Sequence, residues 1–406
     1  MKKALNTPVA DGITRREGLL SLLGTALALA GCGGGGGGGM ASVSSGGTGS
    51  FAMGPITGFG SIIVNGVHFD DRLARVLDDD GALHDRNELK LGMVVRVKGK
   101  PISRAGGVAR ADADEIKFGA ELLGPIDSID RTARTLVVLG QTVQITAATI
   151  FEENLTGLSA LAVGDIVEVH GSVDPVANRM TATRIERKDP AKVQAFRIQG
   201  LVKSLDTAAK TFKIGTLTIS FAGPVDIPAN LVLANDMLVR VRLATTPTTG
   251  IRTALKIRLV EVEVENENEA EVEGTVTFID PNNNKLFKVN GLQVDATGTS
   301  VPAGLKVGDR VEVEGSLVNG VLVATKVELE DENEALKFEL RGPIDSLNTT
   351  AKTFGVSGVT VDFSGAVTFL PAGKTAANLA NGVSVEVKGV ASSDGTKIVA
   401  NRITFE

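Results

Sequence analysis

The side chains that could do chemistry in this chain are few, and most lie in one segment. His68 and His84 are two of its three histidines, and Asp70, Asp71 and the acidic run 78–80 lie close to them in sequence. Imidazole and carboxylate groups together can bind zinc or transfer protons. Two histidines sixteen residues apart have no diagnostic spacing, however. We therefore predict a solvated loop with two surface histidines, and we keep a metal site at His68 and His84 as the alternative.

Other catalytic signatures are missing from the sequence. It contains no Gly-x-Ser-x-Gly elbow, no phosphate-binding loop and no His-Glu-x-x-His motif. The run Asp78-Asp79-Asp80-Gly81 lacks the alternating ligand positions of a calcium loop and is interpreted as a hairpin turn. We expect no enzymatic activity and no cofactor. A hydrolase with an unrecognised site remains an alternative.

The elements that would position these side chains come from a repeat. A strand of alternating valine and polar residues recurs five times, with central valines 72, 72, 72 and 74 residues apart: Val95, Val167, Val239, Val311 and Val385. A residue that recurs in every copy builds the module. The pattern predicts an all-β chain of five tandem modules, each with five short amphipathic strands in a small OB-like β-barrel and almost no helix.

The repeat also sets the predicted domain boundaries. They are a signal peptide over 1–31, a lipidated cysteine and Gly/Ser-rich tether over 32–50, and modules 1 to 5 over 51–118, 119–190, 191–265, 266–332 and 333–406. Asn65-Gly66 and Asn290-Gly291 predict tight hairpins, and Phe212, Phe287 and Phe354 predict core positions. Since one module of this size is only marginally stable, we expect neighbouring modules to pack together.

The N-terminal segment is interpreted as an export signal. Lys2, Lys3, Arg15 and Arg16 precede an apolar run that is too short to span a bilayer and that ends in Leu29-Ala30-Gly31-Cys32. That ending resembles the lipobox of bacterial lipoproteins. The resemblance implies lipid attachment to Cys32, and Gly33 in place of an aspartate favours the outer membrane, facing the periplasm. Arg15-Arg16 partly fits a twin-arginine signal, which leaves that route and general secretion both open. The alternative is an ordinary signal peptide with an incidental cysteine.

Composition argues against some ligand classes. The formal net charge is −6, and the chain has no basic tract, no tryptophan and no tyrosine. Nucleic acids require clustered Lys and Arg, and sugars or single strands usually stack on exposed aromatic rings. We therefore expect no nucleic-acid partner and no sugar-stacking surface.

Charged residues on the outward face of the fourth strand alternate in sign from module to module. They are Arg96/Lys98, Glu168/His170, Arg240/Arg242, Glu312/Glu314 and Glu386/Lys388. We hypothesise that adjacent modules meet with opposite charges; five independent solvent faces are the alternative. On either interpretation His170 is a surface residue. The acidic connectors 261–269 and 328–334 are interpreted as solvated strand ends and turns.

The repeated motifs resemble a known family. The Gly-x-Ile/Val-x-x-Ile/Leu-Asp start, the Gly-Asp-x-Val-x-Val-x-Gly strand (Gly164-Asp165, Gly308-Asp309) and the Ala-x-x-Ile closing strand are similar to bacterial exported modules called domain of unknown function 5666. Module 1, which lacks the long first loop, and module 3, with Asn235-Asp236, fit less well. The resemblance implies no activity. We predict a lipid-anchored scaffold whose partner is an envelope protein or a cell-wall component, with its oligomeric state open. A small-ligand or metal-binding lipoprotein with its site in module 1 is the first alternative.

Overall fold

The computed structural model describes residues 49–331 and 335–406. The predicted signal peptide, Cys32 and most of the tether lie outside the described residues. Within them the chain is built of strands, with five 3-10 turns of three residues each. No helix in the described part is long and apolar enough to cross a bilayer. The all-β prediction is confirmed.

The strands are described below as five modules in chain order, and the first strand begins one residue before the predicted start of module 1. Module 1 contains β1 (Ser50–Phe59), β2 (Ile62–Val64), β3 (Val67–Asp70), β4 (Arg75–Asp78), β5 (Leu83–His84), β6 (Val94–Gly99) and β7 (Arg110–Phe118). Module 2 contains β8 (Leu122–Asp130), β9 (Thr135–Val138), β10 (Gln141–Phe151), β11 (Ile166–Asp174) and β12 (Arg179–Lys188). Module 3 contains β13 (Phe196–Leu201), β14 (Lys203–Asp206), β15 (Thr211–Ile214), β16 (Leu217–Ser220), β17 (Leu238–Leu243) and β18 (Arg252–Leu259).

Modules 4 and 5 follow the same plan. Module 4 contains β19 (Glu267–Asp280), β20 (Asn283–Val289), β21 (Leu292–Asp295), β22 (Arg310–Val318) and β23 (Val321–Leu329). Module 5 contains β24 (Lys337–Pro343), β25 (Asp345–Asn348), β26 (Thr353–Val356), β27 (Val359–Asp362), β28 (Thr368–Leu370), β29 (Ser384–Ala391) and β30 (Ile398–Phe405).

Each module closes into a small barrel. In module 2, β8 pairs antiparallel with β9 and β11, β9 with β10, and β11 with β12, while β10 closes the ring by pairing parallel with β12. This parallel pairing joins the two ends of the sheet and so closes the barrel. This is the predicted OB-like order.

Local sequence explains the barrel. The alternating valines of β6, Val95 and Val97, are fully buried, and Phe212, Phe287 and Phe354 are at most 1% exposed. Asn65-Gly66 and Asn290-Gly291 both adopt positive φ at the two turn positions, as a tight hairpin requires. These predictions are confirmed.

Modules that are not adjacent in the sequence also pair with one another. Residues 50–53 of β1 pair parallel with β19 of module 4, and Gly58 and Phe59 pair parallel with β24 of module 5. Two free edges make this possible, because the first half of β1 pairs with β6 and the second half with β2. Sequence neighbours also meet, as β13 does with β8. The predicted packing of neighbours is therefore incomplete, since module 1 also bonds to modules three and four places away.

The hydrophobic cores follow the same grouping. One apolar cluster combines modules 1 and 5 and takes in Ala148 and Ile150 of module 2. A second spans modules 2 and 3, and a third fills module 4 and includes Phe51 and Met53 of β1. Burial of this shared apolar surface holds the modules in register with one another.

Candidate functional site

A large cleft lies between module 1, module 3 and the segment that joins modules 3 and 4. It has a volume of about 1190 Å³. Its basic lining residues are Arg75, Arg96, Lys98, Lys117, Arg197, Arg240, Arg242, Lys256 and Arg258. Its acidic lining residues are Asp78, Asp79, Asp80, Asp114, Glu115, Glu261, Glu263, Glu265 and Glu267. We call this surface the charged cleft.

One side of the charged cleft is the β4–β5 hairpin. The Asp78 carboxylate accepts hydrogen bonds from the backbone N–H of Asp80 at 2.9 Å and of Ala82 at 2.8 Å, and Gly81 adopts a φ of 82°. The predicted hairpin turn is confirmed. The predicted solvation is wrong for Asp79, whose side chain is only 12% exposed because the tip of the hairpin enters the basic face of module 3.

Asp79 joins two modules. Its carboxylate accepts a hydrogen bond from Arg96 of β6 at 2.7 Å and another from Arg240 of β17. A Cβ at Gly119 would lie 1.7 Å from Asp79 Oδ2, so only glycine at that position leaves room for this carboxylate. The neighbouring Asp80 pairs with Arg242 and, at 2.6 Å, with Lys256. Burial opposes ionisation of Asp80, but the Lys256 hydrogen bond and the Arg242 charge outweigh it and hold its pKa below the ordinary value.

A smaller cavity of about 80 Å³ adjoins the cleft at this point, with Asp79, Arg96 and Arg240 lining both spaces. Glu121 lies in its wall and accepts a hydrogen bond from the Gly171 N–H at 3.3 Å. Burial raises the pKa of Glu121 to about 8, with a smaller contribution from the Asp79 charge, while Arg240 opposes the shift. Its carboxyl group therefore carries a proton at neutral pH. Sequence analysis missed Glu121, because a lone acidic residue between two modules gives no periodic signal.

The two predicted histidines do not meet. His68 lies on β3 in a separate cleft of about 600 Å³ between modules 1 and 5. Its Nδ1 is 3.5 Å from Ser61 Oγ, and its Nε2 is 3.8 Å from Glu339 Oε1. Burial lowers the pKa of His68, and the Glu339 charge only partly offsets this. The prediction of a surface histidine is wrong here, because β24 of module 5 covers the residue.

His84 has its own partners. Its Nδ1 is 2.9 Å from Glu88 Oε2 and its Nε2 is 3.5 Å from Asp78, while its ring packs edge-on against Phe118. The Glu88 hydrogen bond raises the pKa of His84. Among the described residues, no group of three or more His, Cys, Asp or Glu is arranged to hold a metal ion.

The prediction that His170 is a surface residue is wrong. The residue is fully buried instead of exposed, and neither ring nitrogen meets a hydrogen-bond partner among the described residues. The outward face of β11 and β12 is covered, because Thr183 and Arg184 donate to the carbonyl groups of Gly92 and Leu91 in module 1. Burial also lowers the pKa of His170.

The charges of the fourth strands do not pair as hypothesised. Arg240 and Arg242 meet the hairpin of module 1, two modules away, and not the fourth strand of a neighbour. Glu168 pairs with Lys188 and Glu314 with Lys326, each inside its own module. Opposite charges do join modules, but the hypothesis that adjacent modules meet through the alternating charges of their fourth strands is wrong.

The acidic connectors are solvated only in part. Glu265 pairs with Lys98, and Glu269 pairs with Arg104 at 2.8 Å, so the first connector is tied to module 1. Glu267 begins β19 and is buried, which raises its pKa. In the second connector, residues 332–334 lie outside the described residues.

The fold defines a class of protein: tandem, closed, five-stranded β-barrels of OB-like order. The family model described as domain of unknown function (DUF5666) matches residues 124–186, 273–328 and 341–404. Three matches in one chain are consistent with tandem repeats of this domain. The matched segments fall in modules 2, 4 and 5, while modules 1 and 3, which depart from the motif, lie outside them.

Comparisons with individual proteins add little. No curated protein matches the chain. Among solved structures, drosophila Unr CSD456 matches at 16% sequence identity over 52% of this chain and 98% of its own, with a TM-score of 0.14. That score is too low for the similarity to bear on fold or function.

Proposed function

We propose that this chain is an exported, lipid-anchored protein of the bacterial cell envelope that carries out no catalysis and uses its tandem modules to present a binding surface in the periplasm. The observation that carries the proposal is the charged cleft. Three separate parts of the chain form it, and ion pairs between modules 1 and 3 hold it in place. A pre-formed surface of this kind lowers the cost of binding, because few groups must be ordered when the partner arrives.

The anchor is supported by the sequence alone. The lipobox-like ending places Cys32 directly after an apolar run, and residues 32–50 make up the lipidated cysteine and the Gly/Ser-rich tether. A tether of this composition would let the modules reach a partner near the membrane. We expect radiolabelled palmitate to label the wild-type protein, and the Cys32→Ser variant to lose both the label and the membrane fraction. Equal labelling of both proteins would refute the anchor.

The binding role is tested by cross-linking in the intact envelope, followed by affinity purification and mass spectrometry. Arg258→Glu changes the charge inside the cleft, while Lys213→Glu makes the same change on an exposed strand of module 3 outside it. We expect one envelope protein or cell-wall component to be recovered with the wild type and with Lys213→Glu, and to be depleted with Arg258→Glu. Equal recovery with both variants would contradict a role for the cleft.

A second candidate function is a hydrolase, and one observation favours it. In the cleft between modules 1 and 5, one ring nitrogen of His68 faces Ser61 and the other faces Glu339, which is the order of nucleophile, base and carboxylate in a catalytic triad. Burial lowers the pKa of His68, a shift that favours the neutral imidazole a general base needs. Against this, Lys388 pairs with Glu339 at 2.5 Å and competes for its charge.

A fluorophosphonate probe separates the two candidates. A hydrolase would be labelled at Ser61, and Ser61→Ala would abolish the label. Absence of labelling in the wild-type protein would exclude this serine as an activated nucleophile and leave the scaffold proposal standing.

A further inference from the structure

Around Asp79 and Asp80, the charged cleft has more cationic than anionic side chains. Arg96 and Arg240 share the single carboxylate of Asp79. Beside them, Arg242 and Lys256 share the single carboxylate of Asp80. Four cations therefore face two anions. The protonated Glu121 adds no negative charge to balance them.

Hydrogen-bond donors are also in excess there. A guanidinium group has five N–H donors and no acceptor. In Arg240, one Nη donates to Asp79 and the other to Gln199 Oε1 at 3.3 Å, while the buried Nε–H meets no acceptor among the described residues. Buried donors normally have a partner, so an acceptor that is not part of this chain fits the position.

The adjoining cavity can hold such an acceptor. Its volume of about 80 Å³ is several times the roughly 10–15 Å³ that one water molecule requires. Its wall contains the cationic side chains of Arg96, Lys117 and Arg240, Gln199, the carboxylates of Asp79 and Glu261, and the Glu121 carboxyl group, so cations outnumber carboxylates by three to two. Since the same arginines line the large cleft, a group that enters the cavity can remain attached to a larger molecule outside it.

We propose that this cavity is a binding site for a compact oxyanion of the phosphate class, held by the guanidinium groups of Arg96 and Arg240. The planar arginine fork matches the oxygen spacing of phosphate, and hydrogen bonds between charged groups are the strong ones. The ligand is either free phosphate or the phosphate group of an envelope lipid or polymer. The inference deepens the proposed function, because it rests on the same cleft and names the group that the cleft recognises.

The test is isothermal titration calorimetry on the full chain carrying Cys32→Ser, with inorganic phosphate in one arm and glycerol 3-phosphate in the other. Chloride at matched ionic strength is the control ligand. Three variants are compared: Arg240→Lys, which keeps the charge that faces Asp79 but loses the fork; Arg240→Gln, which loses both; and Arg402→Gln, a matched arginine change in module 5.

We expect saturable phosphate binding that Arg402→Gln leaves unchanged. Arg240→Gln should weaken it by roughly 10- to 100-fold, the factor that corresponds to one lost hydrogen bond to a charged group. Arg240→Lys should weaken phosphate binding by at least about 3- to 10-fold, which is half of the Arg240→Gln effect on a logarithmic scale. The melting temperature of Arg240→Lys shows whether its fold is intact. Tighter binding of glycerol 3-phosphate identifies a phosphate ester as the ligand, and equal or weaker binding identifies free phosphate.

Two results would overturn the site. One is heat with phosphate that does not exceed the chloride control, and the other is equal phosphate affinity in wild type and a folded Arg240→Lys. The envelope cross-linking experiment distinguishes a failure of the phosphate site from a failure of the proposed scaffold function. If the partner is still recovered through the cleft while phosphate does not bind, the scaffold proposal stands and only the oxyanion site is lost.

Discussion

The ion pairs between modules 1 and 3 make a quantitative prediction about Asp79. Asp79→Asn keeps the size of the side chain and removes its charge, which leaves Arg96 and Arg240 facing each other. The Asp79 side chain is 12% exposed and both arginines are 26% exposed, so the pairs lie between a surface and a buried setting. Exposed pairs contribute about 0–1 kcal/mol, whereas removing one partner of a buried pair costs about 3–5 kcal/mol. We therefore expect a loss of about 2–4 kcal/mol in the free energy of unfolding.

The assay is urea unfolding followed by far-ultraviolet circular dichroism, because the chain has no tryptophan or tyrosine to report by fluorescence. Asp236→Asn is the matched control, since Asp236 pairs with Lys203 at the surface and both are more than half exposed. That variant should lose less than about 0.5 kcal/mol. A double-mutant cycle with Arg240→Gln should give a coupling energy of about 1–3 kcal/mol. If Asp79→Asn is no less stable than Asp236→Asn, the module 1–module 3 contact does not hold the cleft together.

Four further predictions follow from buried residues. The pKa of Glu121 is raised to about 8 from an ordinary 4.5, so the folded state binds the extra proton and the free energy of unfolding should fall as pH rises through that window, by up to about 5 kcal/mol. Glu121→Gln should remove most of that slope in urea titrations at several pH values, and an unchanged slope would contradict the shift. His170→Leu should leave the melting temperature unchanged or raise it, because it removes two ring nitrogens that meet no hydrogen-bond partner in the described part of the chain; a loss above about 2 kcal/mol in the free energy of unfolding would mean that they have partners. Phe354→Ala should cost about 3–5 kcal/mol by urea unfolding, whereas Phe278→Ala, at a position 48% exposed, should cost far less, and similar losses would contradict the assigned core. Gly119→Ala should displace Asp79 and, measured with Asp79→Asn in a double mutant, should add little to its effect; fully additive losses would separate the two residues.

The fold was accessible from sequence because its signals are local. Alternating valines define a strand with one buried face, and Asn-Gly pairs define hairpins whatever surrounds them. Val95 and Asn290 therefore occupy the predicted positions. Periodic repetition then extends one module to five.

Contacts between modules could not be predicted in the same way. An outward charge such as Arg240 looks the same in sequence whether it faces water or another module. The hairpin at Asp79 was interpreted as solvated, and His170 as exposed, because each belongs to a polar pattern on the outer face of a barrel. Asp79 is covered by module 3 and His170 by module 1, and no repeat period encodes either pairing. Ser61 and Glu339 meet His68 for the same reason, across 278 residues of sequence.

The measurement that tests the central claim most directly is site-specific photo-crosslinking in cells. A photoreactive residue replaces Asn230, an exposed position in the lining of the charged cleft, or Thr350, an exposed turn position of module 5 outside it. The account predicts that one envelope component is cross-linked from position 230, is not cross-linked from position 350, and is lost when Cys32→Ser releases the protein from the membrane. The same products from both positions, or none from position 230, would contradict a scaffold that binds its partner through this cleft.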